Sequence, residues 1–358
     1  MVIEENKPLA PFTTFGIGGP ARWFVDATSE DSVEEAAAWA RSRGAALFVL
    51  GGGSNLLVSD SGFNGLVLRV RLTGVWTNRA SAMGSEPNAQ RIYRVAAGED
   101  WDKFVQRTVE DDCAGLECLA GIPGTVGGTP VQNVGAYGQE VASVISRVRV
   151  FDLELGVFAE FSAEECAFAY RRSRFNSIDQ GRFVVTRVDY RLTAGGAPTQ
   201  RYPDVKRALS GNEASTLKDV AAAIRRIRQS KGMLLVEDDR DCRSAGSFFK
   251  NPVVSEELAF RIEAASTEEL PRYPAGAGQV KLPAAWLIER AGFGKGFRRG
   301  AAGISTRHTL ALVNNGGAEA ADILGLAGEI QAAVKHRFDI ELEMEPVLVG
   351  FPASPAGI

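Results

Sequence analysis

The stretch LAGIPGTVGGTPVQNVGAYGQEV, residues Leu119–Val141, guides the interpretation of the whole sequence. Its repeated glycines leave a continuous path without side chains, so backbone N–H groups can approach a ligand closely. Thr129, Gln132 and Asn133 add hydrogen-bonding groups that carry no charge. A loop this long is uncommon in a compact domain and is usually functional. We therefore interpret the stretch as a cradle for a pyrophosphate or a polar heterocycle, with a plain surface loop as the alternative.

A second glycine cluster directly follows a predicted buried strand, Leu47–Leu50. Glycine loops at the end of a strand often bind phosphate, although a simple tight turn would explain the same residues. Two such backbone cradles in one chain suggest a large dinucleotide. The sequence contains no GxGxxG, so a Rossmann site is not predicted. The second cluster consists of Gly51, Gly52, Gly53, Ser54 and Asn55.

Length and composition limit the class of protein. With 358 residues the chain is long for a single core, and two or three domains are expected. The net charge of −4 and the pI near 5.5 disfavour a surface for nucleic acid or anionic membranes. Four cysteines without a CxxC pair, and two histidines, do not predict a zinc site and fit a reducing cytoplasm.

The N-terminus and the hydropathy pattern predict neither a signal peptide nor a membrane-spanning segment. The first residues include acidic side chains where a signal peptide needs basic ones, and no apolar core follows. No apolar run approaches the length that spans a bilayer. We expect a cytoplasmic protein, with no metal and no nucleic-acid or membrane partner.

Hydrophobic periodicity predicts the elements around the glycine stretch. A helix is expected to begin at a capping box of Ser32 and Glu35 and to end at Gly44. Three later segments alternate as strands of an antiparallel sheet, and a helix at Lys218–Ser230 is expected to expose a basic side. The strands are Val144–Phe151, Val157–Phe161 and Arg182–Leu192, and the basic side consists of Arg225, Arg226 and Arg228.

The C-terminal part is predicted to contain two more helices and a closing strand. Ala284–Ala291 is short and apolar, and Ala318–Phe338 is long and amphipathic. Ile340–Val349 alternates like a strand, which would place its three glutamates on one side. Thr77–Gln90 is polar and without periodicity, and we interpret it as a mobile loop or a subdomain junction.

Several short motifs occur in an order and spacing that resemble one protein family. Each motif is weak alone, but together they are specific and span nearly the whole chain. The family is the UDP-N-acetylenolpyruvoylglucosamine reductases, flavoenzymes of bacterial peptidoglycan synthesis. The motifs are TTFGIGGPA, LGGGSNLLVSD, GIPGTVGGTPVQNVGAYG, FAYRRSRF, SAGSFFKNP, KLPAAWLIE, GISTRHTLALVN and ELEMEPV.

The resemblance implies an α+β fold: a vanillyl-alcohol-oxidase/PCMH-type FAD-binding fold of two α+β subdomains plus a C-terminal α+β substrate domain. The first subdomain would comprise residues 1–72 joined by the tail 340–358, the second 73–230, and the substrate domain 231–339. FAD would be bound noncovalently, because the first histidine, His308, lies beyond both glycine loops. A thioether to Cys113 or Cys118 is a remote alternative. The residues implied to bind FAD are Gly51, Gly52, Gly53, Ser54, Asn55, Gly121, Ile122, Gly124, Thr125, Gly127 and Gly128.

The resemblance also implies three catalytic residues. Arg171, which follows Tyr170, would bind the substrate carboxylate, because a guanidinium stays protonated and grips carboxylates in a planar fork. Ser247 would protonate the substrate carbanion, for which an unperturbed hydroxyl needs electrostatic help. Glu345 would assist Arg171. Glu343 remains an alternative, because family members commonly place a proline directly before the catalytic glutamate, whereas this sequence reads EMEP.

Residue types alone allow simpler interpretations of several positions. A serine before two phenylalanines is commonly a buried turn hydroxyl, and arginines in a cluster are commonly surface charges, as we expect for Arg172 and Arg174. Tyr202 and Lys231 could be exposed loop residues. The substrate contacts implied by the resemblance are Tyr170, Tyr202, Lys231 and Asn251, whereas Arg290 replaces a glutamine of the family.

The implied activity is a reduction in two stages. NADPH reduces the flavin and leaves, and UDP-N-acetylglucosamine enolpyruvate then binds in the same cleft and is reduced to UDP-N-acetylmuramate. NADPH follows from the resemblance alone, because no nicotinamide-specific motif is visible. The alternatives are a flavin-dependent oxidase of the same superfamily and a noncatalytic binder of FAD or a nucleotide sugar. These small molecules are the only expected partners, and a monomer is expected.

Overall fold

The computed structural model describes residues 1–77, 89–210 and 215–352, which fall into two compact units. The first unit comprises Met1–Lys7, Ala21–Gly53 and Phe63–Ser230, and the second comprises Pro8–Pro20, Ser54–Gly62 and Lys231–Ile358. The three predicted domains, residues 1–72 with the tail 340–358, residues 73–230 and residues 231–339, stay a prediction. The predicted mobile loop lies mostly outside the described residues, at 78–88.

The structure contains short strands throughout and α-helices of six to nineteen residues. The strands are β1 (Glu4–Pro8), β2 (Pro20–Ala27), β3 (Leu47–Leu50), β4 (Leu56–Val58), β5 (Phe63–Val70), β6 (Val75–Thr77), β7 (Gln90–Ala96), β8 (Cys113–Ala114), β9 (Gly135–Ala136), β10 (Gln139–Glu140), β11 (Ile145–Asp152), β12 (Val157–Ser162), β13 (Phe183–Ala194), β14 (Val253–Ser255), β15 (Tyr273–Pro274), β16 (Gln279–Lys281), β17 (Arg298–Arg299), β18 (Ala302–Ile304), β19 (Leu312–Asn314) and β20 (Val347–Val349). The helices are α1 (Glu30–Ser42), α2 (Trp101–Glu110), α3 (Pro203–Ala208), α4 (Leu217–Ser230), α5 (Glu256–Ala264), α6 (Ala284–Arg290) and α7 (Ala320–Phe338).

The first unit contains a partly parallel sheet and an antiparallel sheet. In the order β1-β2-β5-β3, both β2 and β3 pair in parallel with β5. The second sheet has the order β12-β11-β13-β7-β6, with β8 beside β13 and every pair antiparallel. The predicted antiparallel strands are thus confirmed as β11, β12 and β13. One apolar core joins both sheets to α1 and α2, and it includes Val33, Leu68, Trp101, Phe104 and Val188.

Helix α1 begins two residues before the predicted capping box. Ser29, in an extended conformation, accepts a hydrogen bond from the Ser32 N–H at 3.1 Å, and the Ser32 hydroxyl oxygen accepts one from the Ser29 N–H at 2.9 Å. The predicted pairing of Ser32 with Glu35 is therefore wrong. The cap is a pair of serines rather than a serine and a glutamate, so the motif search placed the start of the helix one turn too late.

The second unit contains three small sheets, and one of them, through β18 and β19, contacts α7. Their orders are β14-β16-β15, β17-β18-β19 and β20-β4, the last pair parallel. The Asp60 carboxylate accepts hydrogen bonds from the Ala320 and Ala321 N–H groups at 2.7 and 3.1 Å, which satisfies donors at the positive end of α7. The predicted helices are confirmed as α6 and α7. Residues of the apolar core include Phe248, Phe249, Leu287, Ile323 and Ile330.

The predicted closing strand is only partly correct. Within Ile340–Val349, the regular strand is limited to β20. Before it, Met344 forms a single antiparallel bridge to Phe249, so this part of the tail touches a loop rather than a sheet. The tail therefore pairs with two different segments of the second unit.

Glu30 at the start of α1 provides a test of the first unit. Its carboxylate lies 2.8 Å from Arg149 Nε and 2.9 Å from Arg149 Nη2, and it accepts a hydrogen bond from the Thr186 hydroxyl at 2.8 Å. Hydrogen bonding to Arg149, opposed by burial and supported by Thr186, lowers the pKa of Glu30. Because the folded-state pKa is depressed, this stabilisation is present above the unfolded pKa and is lost as the pH falls through the folded pKa.

We expect Glu30→Gln to reduce the acid dependence of stability. Between about pH 6 and about pH 3, the free energy of unfolding of the wild type falls more steeply than that of the variant. Urea denaturation at a series of pH values measures this difference. Glu34→Gln, at an exposed position on the same helix, is the control and is expected to keep the slope of the wild type. Equal slopes for Glu30→Gln and the wild type would contradict the linkage.

Candidate active site

The two glycine loops touch each other inside the first unit. A Cβ atom added to Gly52 would lie 2.5 Å from the Cα of Gly124, and one added to Gly51 would lie 2.9 Å from the Thr125 hydroxyl. Gly124 also has a φ of +130°, a conformation that L side chains rarely adopt. The loops therefore meet backbone to backbone.

The loop Gly121–Gly128 is hydrogen-bonded to the turn between β7 and α2. Gly127 N–H donates to the Ala97 carbonyl at 2.8 Å, Val126 N–H donates to the Glu99 carbonyl at 2.9 Å, and Trp101 N–H donates to the Gly124 carbonyl at 3.1 Å. The buried Tyr190 hydroxyl lies 2.7 Å from that of Thr129 and ties the loop to β13. These bonds give the loop a defined path despite its glycines.

The remaining groups of the cradle suit a phosphate-containing cofactor. The N–H groups of Gly52 and Gly53 hydrogen-bond to nothing in the part of the chain that the structure describes. A Cβ added to Gly128 would meet no atom of the described residues within 4 Å. Backbone donors beside open space, without metal-ligating side chains, fit a diphosphate. Ser54 and Asn55, next along the chain, belong to the second unit.

The backbone of Gly121 is held by two charged residues that the sequence analysis did not connect with the glycine loops. Its N–H donates to Asp102 on α2 at 2.6 Å, and its carbonyl accepts from Arg228 Nε on α4 at 3.0 Å. Arg228 is only 8% exposed, so its predicted place on an exposed basic side is wrong. Burial lowers the pKa of Arg228, against the opposing influence of Tyr137 and Asp102. Arg225 also pairs with Asp102, which leaves Arg226 as the exposed member of the three.

Arg171 lies in a tight turn that is bound to the glycine stretch. It has a φ of +53°, and its guanidinium stacks 5.5 Å from the ring of the exposed Tyr170. The turn is bound to the stretch at two points, since Asn133 Nδ2 donates to the Ala169 carbonyl at 3.0 Å and the Ser173 hydroxyl donates to the Val131 carbonyl at 2.6 Å. The first unit thus brings Arg171 and the stretch together.

The neighbouring arginines behave differently from each other. Arg172 is exposed, as predicted. Arg174 is a structural residue, because its Nε donates to Asp179 at 2.8 Å and its guanidinium stacks 3.9 Å from the Phe161 ring. The prediction of a surface charge at Arg174 is wrong, because tertiary packing places an aromatic ring and a carboxylate beside it.

Ser247 and Glu345 lie on adjacent segments of the second unit. Glu345 N–H donates at 2.9 Å to the carbonyl of Phe248, the residue after Ser247. Asn55 joins the same group, because its Nδ2 donates to the Glu345 carbonyl at 3.3 Å. The Thr14 hydroxyl holds the segment before Ser247 by donating to the Ser244 carbonyl at 2.6 Å.

The other glutamates of the tail are held elsewhere. Glu343 pairs with Lys250, and Glu341 lies 3.3 Å from Lys335. Their side chains are 71% and 82% exposed, whereas Glu345 is half-buried. This difference favours Glu345 over Glu343 as the carboxylate of a site.

The predicted substrate contacts fall in both units. In the first, Tyr202 directly precedes α3, and its ring lies 5.5 Å from that of Tyr137. In the second, Lys231 is half-buried and Asn251 Oδ1 accepts a hydrogen bond from the Ala284 N–H at the start of α6. Arg290 is held by an ion pair with Glu268 and stacks 4.2 Å from the Trp286 ring, so its side chain has structural partners.

The described residues were compared with the requirements of a metal site, a membrane-spanning helix and a thioether link to flavin. Within 1–77, 89–210 and 215–352, no group of three or more metal-ligating residues occurs, and no helix is long and apolar enough to cross a bilayer. Cys113 and Cys118 are buried, and burial raises the pKa of both thiols. Protonated, buried thiols are poor nucleophiles for a thioether link.

Comparison with known proteins identifies the family. Residues 237–349 match the C-terminal domain of UDP-N-acetylenolpyruvoylglucosamine reductase, and residues 21–161 match an FAD binding domain. UDP-N-acetylenolpyruvoylglucosamine reductases from Thermobifida fusca and Streptomyces coelicolor are each 45% identical over 97% of this chain, and 98% and 90% of their own lengths are covered. The chain belongs to the UDP-N-acetylenolpyruvoylglucosamine reductase family.

A solved structure of the family supports the fold. The reductase from Thermus caldophilus is 28% identical, covers 98% of this chain and 99% of its own, and superposes with a TM-score of 0.64. The expected α+β fold of the vanillyl-alcohol-oxidase/PCMH type is confirmed. The residue roles implied by the resemblance remain predictions.

The contact between Gly52 and Gly124 provides a test of the cradle. We expect Gly52→Ala to weaken FAD binding about tenfold or more, because the new methyl must displace the Gly124 backbone at a cost of about 1–3 kcal/mol. Titration of FAD into the apoprotein, followed by flavin fluorescence, measures the affinity. The control is Gly328→Ala on α7, where a Cβ meets no described atom within 4 Å. Unchanged affinity in a folded Gly52→Ala protein would contradict this role of the loop contact.

Proposed function

We propose that this chain reduces UDP-N-acetylglucosamine enolpyruvate to UDP-N-acetylmuramate, with FAD as the cofactor and NADPH as the reductant. Membership of the reductase family supports the reaction, and the match to an FAD binding domain supports the cofactor. The observation that carries the assignment of residues is the adjacency of two backbone segments in the second unit: the Glu345 N–H donates to the carbonyl of Phe248, the residue after Ser247, and Asn55 donates to the Glu345 carbonyl.

FAD would be held noncovalently by the backbone cradle. Gly51–Gly53 and the loop Gly121–Gly128 supply N–H donors, and close packing of Gly52 on Gly124 sets the width of the cradle. Bound flavin supplies the hydride-transfer chemistry. The polypeptide contributes the position of the reactants and the electrostatics around them.

The protein groups act on the enolpyruvyl end of the substrate. Arg171 binds the carboxylate and stabilises negative charge as it develops there. Ser247 donates a proton to the carbon next to the one that is reduced. Glu345 supports this proton transfer and assists Arg171 in stabilising the charged intermediate, since a serine hydroxyl is a weak acid without such help. Interactions that strengthen in the transition state raise the rate of the chemical step.

The nucleotide end of the substrate has separate contacts. We assign Tyr170 and Tyr202 from the first unit, and Lys231 and Asn251 from the second. Lysine suits a diphosphate because its ammonium is a compact charge. We further propose that the enzyme acts as a monomer in the bacterial cytoplasm, with these small molecules as its partners.

An anaerobic titration tests the function. The visible absorbance of the purified protein is followed while NADPH and then UDP-N-acetylglucosamine enolpyruvate are added. We expect the flavin band to bleach with NADPH and to return with the enolpyruvyl substrate. A flavin band that NADPH leaves unchanged contradicts the reductase assignment, and a colourless protein that takes up no FAD contradicts the cofactor.

Ser247→Ala separates the two half-reactions. We expect reduction of the flavin by NADPH to keep its rate, and reoxidation by the enolpyruvyl substrate to slow by about 10²–10⁴, because the proton donor is missing. Stopped-flow absorbance measures both steps. Ser42→Ala, whose hydroxyl donates only to the Trp39 carbonyl among the described residues, is the control. Equal slowing of both half-reactions would falsify the proton-donor role.

A further inference from the structure

The segment that carries Tyr202 runs alongside the end of the glycine stretch. The rings of Tyr137 and Tyr202 pack edge to face at 5.5 Å. A Cβ added to Gly138 would lie 3.7 Å from the Cβ of Arg201, and Gln139 Nε2 donates to the Thr199 hydroxyl at 3.1 Å. Residues 137–139 therefore contact residues 199–202 one after another, and we call this contact the loop seam.

A buried carboxylate fixes one end of the loop seam. Glu117 is fully buried, and it accepts hydrogen bonds at 2.8 Å from the Gly115 N–H, the Thr199 N–H and the Gln139 side chain. Gln139 in turn accepts one from the Cys118 N–H at 2.8 Å. Because a buried carboxylate is costly unless its oxygens are satisfied, this end of the seam is held in place.

Tyr137 forms the other end and connects to the flavin cradle. It has a φ of +50°, which is unusual for an aromatic residue and persists only where the surroundings enforce it. Its hydroxyl hydrogen-bonds to the Arg228 guanidinium, which in turn binds the Gly121 carbonyl. Asp102 accepts a hydrogen bond from the N–H of the same glycine. One strained tyrosine thus contacts Tyr202 with its ring and, through its hydroxyl, the arginine that binds the Gly121 carbonyl.

We propose that Tyr137 is a positioning residue that couples the Tyr202 segment to the flavin cradle. Its ring seats Tyr202, and its hydroxyl orients Arg228 so that the Gly121 carbonyl keeps its place. The consequence for the reaction rests on the proposed function, in which Tyr202 contacts the nucleotide and Gly121 lies in the FAD loop. The loop seam itself is a property of the first unit and can be measured without turnover.

Two substitutions separate the ring from the hydroxyl. Tyr137→Phe keeps the ring and removes the bond to Arg228, whereas Tyr137→Asn removes both and suits the positive φ of this position. In hydrogen exchange of the substrate-free holoenzyme, we expect Tyr137→Asn to speed exchange of amides 200–205 about tenfold, and Tyr137→Phe to leave them as in the wild type. The amides of Gly121 and Ile122 are expected to exchange faster in both variants.

Steady-state kinetics provides a readout that a general loss of stability would not produce. We expect Tyr137→Asn to raise KM for the enolpyruvyl substrate about tenfold with a smaller change in kcat. Tyr137→Phe, which keeps the ring, is expected to have the KM of the wild type. Leu155→Asn, at an exposed turn of the same unit, controls for a polar substitution of an apolar residue. If KM of Tyr137→Phe were raised as much as that of Tyr137→Asn, the role of the ring would be contradicted.

Arg228→Met tests the connection to the cradle, with Arg226→Met on the exposed side of the same helix as the control. We expect only Arg228→Met to shift the visible flavin spectrum and to speed exchange at Gly121. If exchange of amides 200–205 in Tyr137→Asn equals that of the wild type, the proposal is wrong. If exchange rises as expected but the wild type shows no turnover, the loop seam stands and the proposed function fails.

Discussion

The close approach of two backbones, at Gly52 and Gly124, is the constraint on which the first unit depends. A single methyl group at Gly52 would lie 2.5 Å from the Gly124 Cα, so both loops must be glycine-rich where they meet. The contact turns two sequence-distant loops into one cradle.

A glycine loop has little structure of its own, because glycine loses more conformational freedom on folding than any other residue. Here the order comes from outside the loop. Carbonyls of the turn between β7 and α2 hold Val126 and Gly127, and buried charged residues hold the flanks. Asp102, Glu117 and Arg228 are each satisfied by backbone groups, so they fix the path of the chain at points where no strand or helix does.

The second unit uses a similar device for Ser247 and Glu345. Neither residue lies in a helix or a regular strand, and the two segments share only a bridge and a few backbone hydrogen bonds. Thr14 and Asn55, both from the first sixty residues, hold these segments from the side. These interactions between distant parts of the chain hold the backbone segments of Ser247 and Glu345 side by side, and both residues are half-buried.

The sequence by itself determined the positions of the two glycine loops, the main helices and strands, and the family, because these depend on local periodicity and on motifs in a fixed order. It located α7, the strands β11 to β13 and both loops. Only the tertiary structure decided which charged residues are buried. Periodicity placed Arg228 on a polar side of α4, but the Gly121 carbonyl and Tyr137 cover that position. Similarly, Arg174 stacks on Phe161 and binds Asp179. Of the three alternating tail glutamates, two form ion pairs at the surface and the third is half-buried. The physical reason is that a pattern along the chain indicates which side of an element is polar, whereas the partner of each polar group comes from a segment far away in sequence.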